Sequence, residues 1–102
     1  MAANPTDSKH TDSSGAQATV SPGDHQFTIS IDDRRVGLID FHDRDGVRTF
    51  THTEVDPAYG GRGLATILVG EALQAARDAG LRIASQCSMV DGYIVKHPEY
   101  RG

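Results

Sequence analysis

The stretch VDPAYGGRGLATILVGEALQAARDAG, residues 55–80, decides the fold. Asp56-Pro57-Ala58-Tyr59 breaks whatever precedes it, and Gly60-Gly61-Arg62-Gly63 forms a flexible loop. From Leu64 to Ala79, apolar residues recur at helical spacing: Leu64, Ile67, Leu68, Ala72, Ala75, Ala76 and Ala79. Gly80 is placed to close the helix in a left-handed conformation. Glycines allow close backbone approach, and a helix start presents unpaired N–H groups at a positive dipole end. A plain turn into a helix would have the same residues; the alternative is an anion site, most naturally for phosphate. Two phosphate motifs are excluded. The P-loop requires Gly-Lys-Ser/Thr, and here Leu64-Ala65 follows Gly63. The dinucleotide fingerprint requires a small residue at Thr66 and an acid roughly 20 positions on, where Gly80 and Leu81 stand.

Upstream, Phe27, Ile29 and Ile31 alternate with polar residues, which predicts a strand with one buried face. Asp33-Arg34-Arg35 reads as a turn and Val36 to His42 as a second strand, weakened locally by Gly37. Asp43-Arg44-Asp45-Gly46 carries an Asp-Gly hairpin signal, and Val47 to Val55 is a third strand rich in Thr and β-branched residues. Downstream, Leu81 to Ser88 reads as a short buried strand and Asp91 to His97 as a short helix ended by Pro98. The order is β-β-β-α-β-α: an α/β domain with a mixed sheet, an antiparallel meander followed by β-α-β-α.

Residues 1–24, MAANPTDSKHTDSSGAQATVSPGD, are dominated by Ser, Thr, Asp, Gly and Pro. So little apolar surface cannot offset ordering entropy, so a disordered tail is expected, dispensable for folding, ahead of a domain at 25–102. The whole chain has 102 residues, 37% hydrophobic, with a net charge of −4. That size bounds it to one small domain. No basic footprint for nucleic acid is present, and no apolar run approaches the roughly 20 residues of a membrane span. The N-terminus lacks the apolar core of a secretory signal. Cys87 is the one cysteine, which excludes an intrachain disulfide and a multi-cysteine zinc site and points to a cytoplasmic chain. No histidine pair has the spacing of a zinc motif, so no metal is expected.

Gly60-Gly61-Arg62-Gly63-Leu64-Ala65 resembles the pyrophosphate loop of the GNAT superfamily of N-acetyltransferases, whose pattern is Arg/Gln-x-x-Gly-x-Gly/Ala. Gly63 and Ala65 are in register, whereas Gly60 stands where the family has Arg or Gln. His52-Thr53-Glu54-Val55, the loop, Cys87 and Lys96-His97-Pro98-Glu99-Tyr100 together resemble the minimal single-domain, YjdJ-type branch over about residues 26–102. The resemblance implies a GNAT-like sheet parted to admit acetyl-CoA or CoA. It implies coenzyme contacts from Glu54, Val55, Gly60, Gly61, Arg62, Gly63, Leu64 and Ala65, and a catalytic pair of His52 and Cys87.

A thiol acts as nucleophile only as thiolate, so Cys87 needs a base or cation, and His52 is the candidate; a small buried hydrophobe is the plainer reading. His52 and Glu54, two apart on a strand, share a face, with Phe50 on it too. Glu54 then orients His52, acts as a base, or is simply a solvated carboxylate. In the register set by Lys96-His97-Pro98, the tyrosine that many larger members use as an acid falls on Ile94, with Tyr93 beside it. The expected function is acetyl transfer from acetyl-CoA to a primary amine, either on a protein (lysine or N-terminus) or on a small molecule, directly or through Cys87. The alternative is a non-catalytic acyl-CoA-binding module or partner subunit. A monomer or weak homodimer is expected, without nucleic acid or membrane as partner.

Overall fold

A computed structural model describes residues 7–100. Six strands form one sheet in chain order: β1 (Ser8–Thr11), β2 (Gln17–Pro22), β3 (Gln26–Ile31), β4 (Arg34–Arg44), β5 (Val47–Val55) and β6 (Arg82–Ser85). The first five are antiparallel neighbours, and β6 lies parallel to β5. A parallel neighbour needs a crossover, and α1 (Leu64–Asp78) supplies it. The last elements are α2 (Ser88–Lys96) and a short 3₁₀ turn at Pro98–Tyr100. The meander, the long helix, the parallel strand and the closing helix follow the expected order.

The turns follow from backbone chemistry. Asp45 and Gly46 both have positive φ (53° and 78°) between paired Arg44 and Val47, the two-residue hairpin its Asp-Gly signal predicts. The β3–β4 turn is Asp32-Asp33 (φ 51° and 63°) rather than 33–35, because aspartate tolerates the left-handed region and frees Arg34 and Arg35 to pair.

Residues 8–22 correct the expectation of a disordered tail. Ala18 and Val20 on β2 are buried, and β2 pairs with β3 from Ala18↔Ile31 to Pro22↔Phe27. Backbone pairing with β3 and two buried side chains order a segment that composition alone reads as too polar. Residues 1–6 of that expected tail lie outside the described residues.

Both helices cover one face of the sheet. There Ile29, Ile39 and Phe50 meet Leu64, Leu68 and Leu73, all fully or almost fully buried. The buried face of α1 is shifted from the sequence stripe: it takes in Val69 and Leu73 and leaves Ala79 exposed, since the helix packs on β2 to β6 and also meets α2. The opposite sheet face is polar and bare of helices; it carries Asp40, His52 and Glu54.

Beta bulges set these faces. Asp40 pairs with His52 but Phe41 pairs with Phe50, so Thr51 is an extra residue in β5. The bulge breaks the alternation: Phe50 and Thr53 point into the core, while His52 and Glu54 point out. Phe50 therefore does not share the face of His52, as strict alternation predicts. Opposite β5, Gly37 is required by close approach: a Cβ there would lie 2.9 Å from Ile29 Cγ2 and 3.0 Å from the Glu54 carbonyl oxygen.

Candidate active site

The site lies where β5 and β6 part. Their pairing runs from Val47↔Arg82 to Phe50↔Ser85 and ends with the Gln86 N–H donating to the Phe50 carbonyl (2.8 Å). Beyond it β5 continues to Val55 paired with β4 alone. The other chain turns out of the sheet because Ser85 caps it: the Cys87 N–H donates to Ser85 Oγ (3.2 Å), whose hydroxyl donates to the Cys87 carbonyl (3.0 Å). This local turn shortens the strand expected to reach Ser88 and starts α2 three residues earlier than expected, with Cys87 at its N-cap. Residues 52–55 thus carry an edge free of β6 beside the start of α2.

The glycine loop closes one end of this opening. Asp56 caps a 3₁₀ turn at Pro57–Tyr59 by accepting from the Ala58 N–H (2.9 Å). Gly61 and Gly63 then take positive φ (both 76°), and Gly63 caps α1 without any side-chain bond. The flanking bonds are Gly60 N–H to Pro57 O (3.1 Å) and Ile67 N–H to Gly63 O (3.1 Å). Between them the N–H groups of residues 61–66 have no acceptor among the described residues. Nothing lies within 4 Å of where a Cβ on Gly61 or Gly63 would stand, so the loop backbone faces open space.

Two adjoining cavities continue from there. One, of about 290 Å³, is lined by Val55, Tyr59 and the loop backbone; the other, of about 340 Å³, runs between α1 and α2 past Val69, Gly92, Tyr93 and Lys96. Ala65, Thr66 and Met89 border both, which makes them one groove from the loop to the α2 end. Burial, then the nearby charges of Tyr100 and Glu99, push the Tyr93 hydroxyl above its ordinary pKa. It stays protonated on the groove wall, its ring stacked on His97 at 4.2 Å.

The expected contacts divide. Val55, Gly60, Gly61, Gly63, Leu64 and Ala65 line the groove. Glu54 does not: its side chain lies on the open face. Nor does the Arg62 side chain, which sits over the Tyr59 ring (4.9 Å) with Nη1 3.7 Å from Asp12 Oδ2. Thr66 and Met89 are groove residues that the sequence reading did not single out; a small residue at the helix start and a methionine at the start of α2 carry no spacing signal.

His52 and Cys87 do not form the expected pair. His52 Nε2 stands 3.5 Å from Glu54 Oε1, both side chains about 60% exposed on the open face. Cys87 is buried on the other face, its thiol donating to Thr53 Oγ1 (3.3 Å). Successive strand residues point to opposite faces, so the neighbour of His52 takes the thiol and His52 cannot. Burial acts to raise the Cys87 pKa. In the thiolate the Thr53 hydroxyl can turn to donate, and with the nearby N–H groups of Val90 and Met89 at the start of α2 it outweighs burial, so the thiol lies below its ordinary value of 9.0.

Among the described residues no cluster could hold a metal ion, and no helix is long and apolar enough to cross a membrane. The family model for GCN5-related N-acetyl-transferases matches residues 26–102. The NMR solution structure of a GCN5-like protein from Staphylococcus aureus superposes with a TM-score of 0.63 at 25% identity, covering 79% of this chain and 81% of that one. No curated protein matches the sequence.

Proposed function

The chain belongs to the GCN5-related N-acetyltransferase family, and on that premise we propose that it moves acetyl from acetyl-CoA to a primary amine across the opening between β5 and β6. The observation that carries the reading is that parting, placed beside a glycine loop whose N–H groups face an open groove. The groove fits the coenzyme. Backbone N–H groups at the head of α1 are donors for a pyrophosphate, Lys96 offers a cation farther along, and apolar Val55, Val69 and Met89 suit the pantetheine arm. Acetyl-CoA supplies the activated acetyl thioester.

The chain's own part is to position and to move a proton. The free edge of β5 at residues 52–55 presents backbone groups to an extended arm and to the thioester carbonyl. His52, with Glu54 beside it, lies on the face opposite the groove and takes the proton of an amine arriving from that side. Amine and coenzyme then meet from opposite faces. The side chains of His52 and Glu54 are well exposed on this face, so a protein lysine or N-terminus, or a small amine, reaches them equally in steric terms.

A second route is favoured by the placement of Cys87 at the N-cap of α2 against Thr53 Oγ1, surroundings that hold its thiol below the ordinary pKa. There the Cys87 thiolate takes the acetyl group as the CoA thiolate leaves, and the amine then takes it from sulfur, restoring the thiol. Mixing the protein with acetyl-CoA and a panel of lysine peptides, N-terminal peptides and polyamines tests the function, with products read by mass spectrometry. Acetylated amine above the uncatalysed level is expected; coenzyme binding with no product from any amine class would leave a binding module instead. We place the reaction in the cytoplasm, a reducing compartment that supplies acetyl-CoA and suits the single thiol of Cys87.

A further inference from the structure

The Gly61–Gly63 stretch that faces the groove has no hydrogen bond within the loop itself to fix its peptide planes. Gly60, Gly61 and Gly63 bring no side chains, and the cap of α1 makes no side-chain bond. The order comes from the β1–β2 turn, which lies before the segment matched by the family model. Ser13 N–H donates to the Arg62 carbonyl (3.0 Å), and Ser13 Oγ donates to the Gly61 carbonyl (3.2 Å). In a planar trans peptide the C=O of one residue and the N–H of the next point opposite ways. Fixing the carbonyls of Gly61 and Arg62 on the turn therefore turns the N–H groups of Arg62 and Gly63 away from it. No turn residue lines the groove.

Asp12 anchors the turn. Its Oδ1 accepts from Ser14 N–H (2.9 Å), Ser14 Oγ (2.7 Å) and Ala16 N–H (2.9 Å). Its Oδ2 is buried with no hydrogen-bond partner, and the nearby cation is Arg62 at 3.7 Å. The Ser14 hydroxyl above all, then the Ala16 and Ser14 N–H groups and the Arg62 charge, hold this carboxyl below its ordinary pKa against the effect of burial. A buried ionised oxygen without a donor is costly unless a cation stands near it, so Asp12 draws Arg62, and with it the loop, onto the turn. Farther along, His10 Nε2 lies 2.9 Å from Glu71 Oε1 and ties β1 to α1.

We propose that Asp12 and Ser13 are positioning residues for the coenzyme loop, clasping the Gly61–Gly63 backbone so that its N–H groups face the groove and receive a pyrophosphate. The proposal rests on the reading of that groove as the acetyl-CoA site. Asp12→Asn keeps an oxygen for the turn's N–H groups and removes the charge that holds Arg62; Ser13→Ala removes the bond to Gly61 alone. Two measurements separate the clasp from the reading beneath it. Amide hydrogen exchange of residues 60–65 in the coenzyme-free protein reports the clasp. Calorimetry with CoA, and NMR titration with pantetheine, which lacks the pyrophosphate, report its purpose.

Faster loop exchange is expected in both variants, with CoA affinity reduced about tenfold in Asp12→Asn and less in Ser13→Ala. Pantetheine affinity should stay as in the wild type. Arg62→Gln should reproduce Asp12→Asn, and Arg62→Lys should recover part of the loss. Unchanged loop exchange in variants that remain folded overturns the clasp. Faster exchange with undiminished CoA affinity, or equal losses for CoA and pantetheine, overturns its role in holding the pyrophosphate. Wild-type protein that gives no heat with CoA overturns the groove reading itself. Should Asp12→Asn fail to fold, Ser13→Ala and Arg62→Gln carry the same outcomes.

Discussion

Cys87 Sγ lies 3.3 Å from Thr53 Oγ1, and that contact gives the thiol its partner on the opposite face of β5 from His52. Thr53, not His52, should then tune the thiol. Iodoacetamide alkylation of Cys87 should titrate with a midpoint below 9.0. Thr53→Val should raise that midpoint, because a donor to the thiolate is lost, while His52→Ala should leave it in place. A midpoint that follows His52 instead would restore the pair suggested by the sequence.

The same lowered pKa fixes a sign for stability. With the folded value below the unfolded one, the folded state binds fewer protons between the two. Its contribution is fully present above the unfolded value, near 9.0, and is lost as pH falls through the folded value. The stability advantage of wild type over Cys87→Ala should therefore grow as pH rises toward 9.0, as read by urea denaturation at a series of pH values. A constant difference across that range contradicts the shift.

Direct transfer and the cysteine route diverge in single-turnover kinetics. With direct attack, Cys87→Ala keeps acetyl transfer within about tenfold of wild type, and His52→Ala slows it by roughly 10²-fold, the low end for a lost general base. A fall of about 10³-fold or more in Cys87→Ala, together with an acetyl mass on wild-type Cys87, would assign the carrier role to the thiol. Direct attack is the expected outcome, because Cys87 is only 9% exposed and no side-chain base bonds to it.

Gly37 was legible in the sequence only as a weak point in a strand, and the structure gives it a reason. Gly37→Ala would press a methyl against the Glu54 carbonyl and Ile29 from 3.0 Å or less. Because one of these neighbours is backbone, the variant should lose about 1–3 kcal/mol in chemical denaturation. It should also disturb β5 where residues 52–55 leave β6. A neutral Gly37→Ala would mean that β4 and β5 separate more easily than their pairing implies.

What the sequence revealed and what it hid have physical causes. The meander, α1 and Gly80 were readable because alternation, a 3.6-residue period and a left-handed cap are local signals, and Gly80 indeed takes φ 75°. The glycine loop was readable because its chemistry lies in the backbone. The His52–Cys87 pairing failed because it rested on a resemblance to known enzymes, which carries no local signal for which face of a strand a side chain takes. Phe50 was given the face of His52 because the Thr51 bulge, set by strand register, leaves no mark in composition. The β1–β2 hairpin failed because Ala18 and Val20 are two apolar residues in a polar run; their burial depends on β3 and α1 far along the chain.

That hairpin gives the last test. A disordered segment could be deleted without loss, but β2 is one of the inner strands of this sheet. Removing residues 1–24 would expose the edge of β3 and uncover Ile29 and Ile31, which Val20 and Ala18 face across the register. Losing a buried valine alone corresponds to about 1.5–3 kcal/mol. The lost hydrogen bonds to Gly61 and Arg62 add a local effect at the loop. The truncated chain should therefore melt well below the full chain and bind CoA more weakly, with the loop amides exchanging fastest. Scanning calorimetry of both forms, with and without CoA, measures it. Equal melting temperatures would show that residues 8–22 rest on the sheet without supporting it, and equal shifts with CoA would show that the loop holds its shape without the turn.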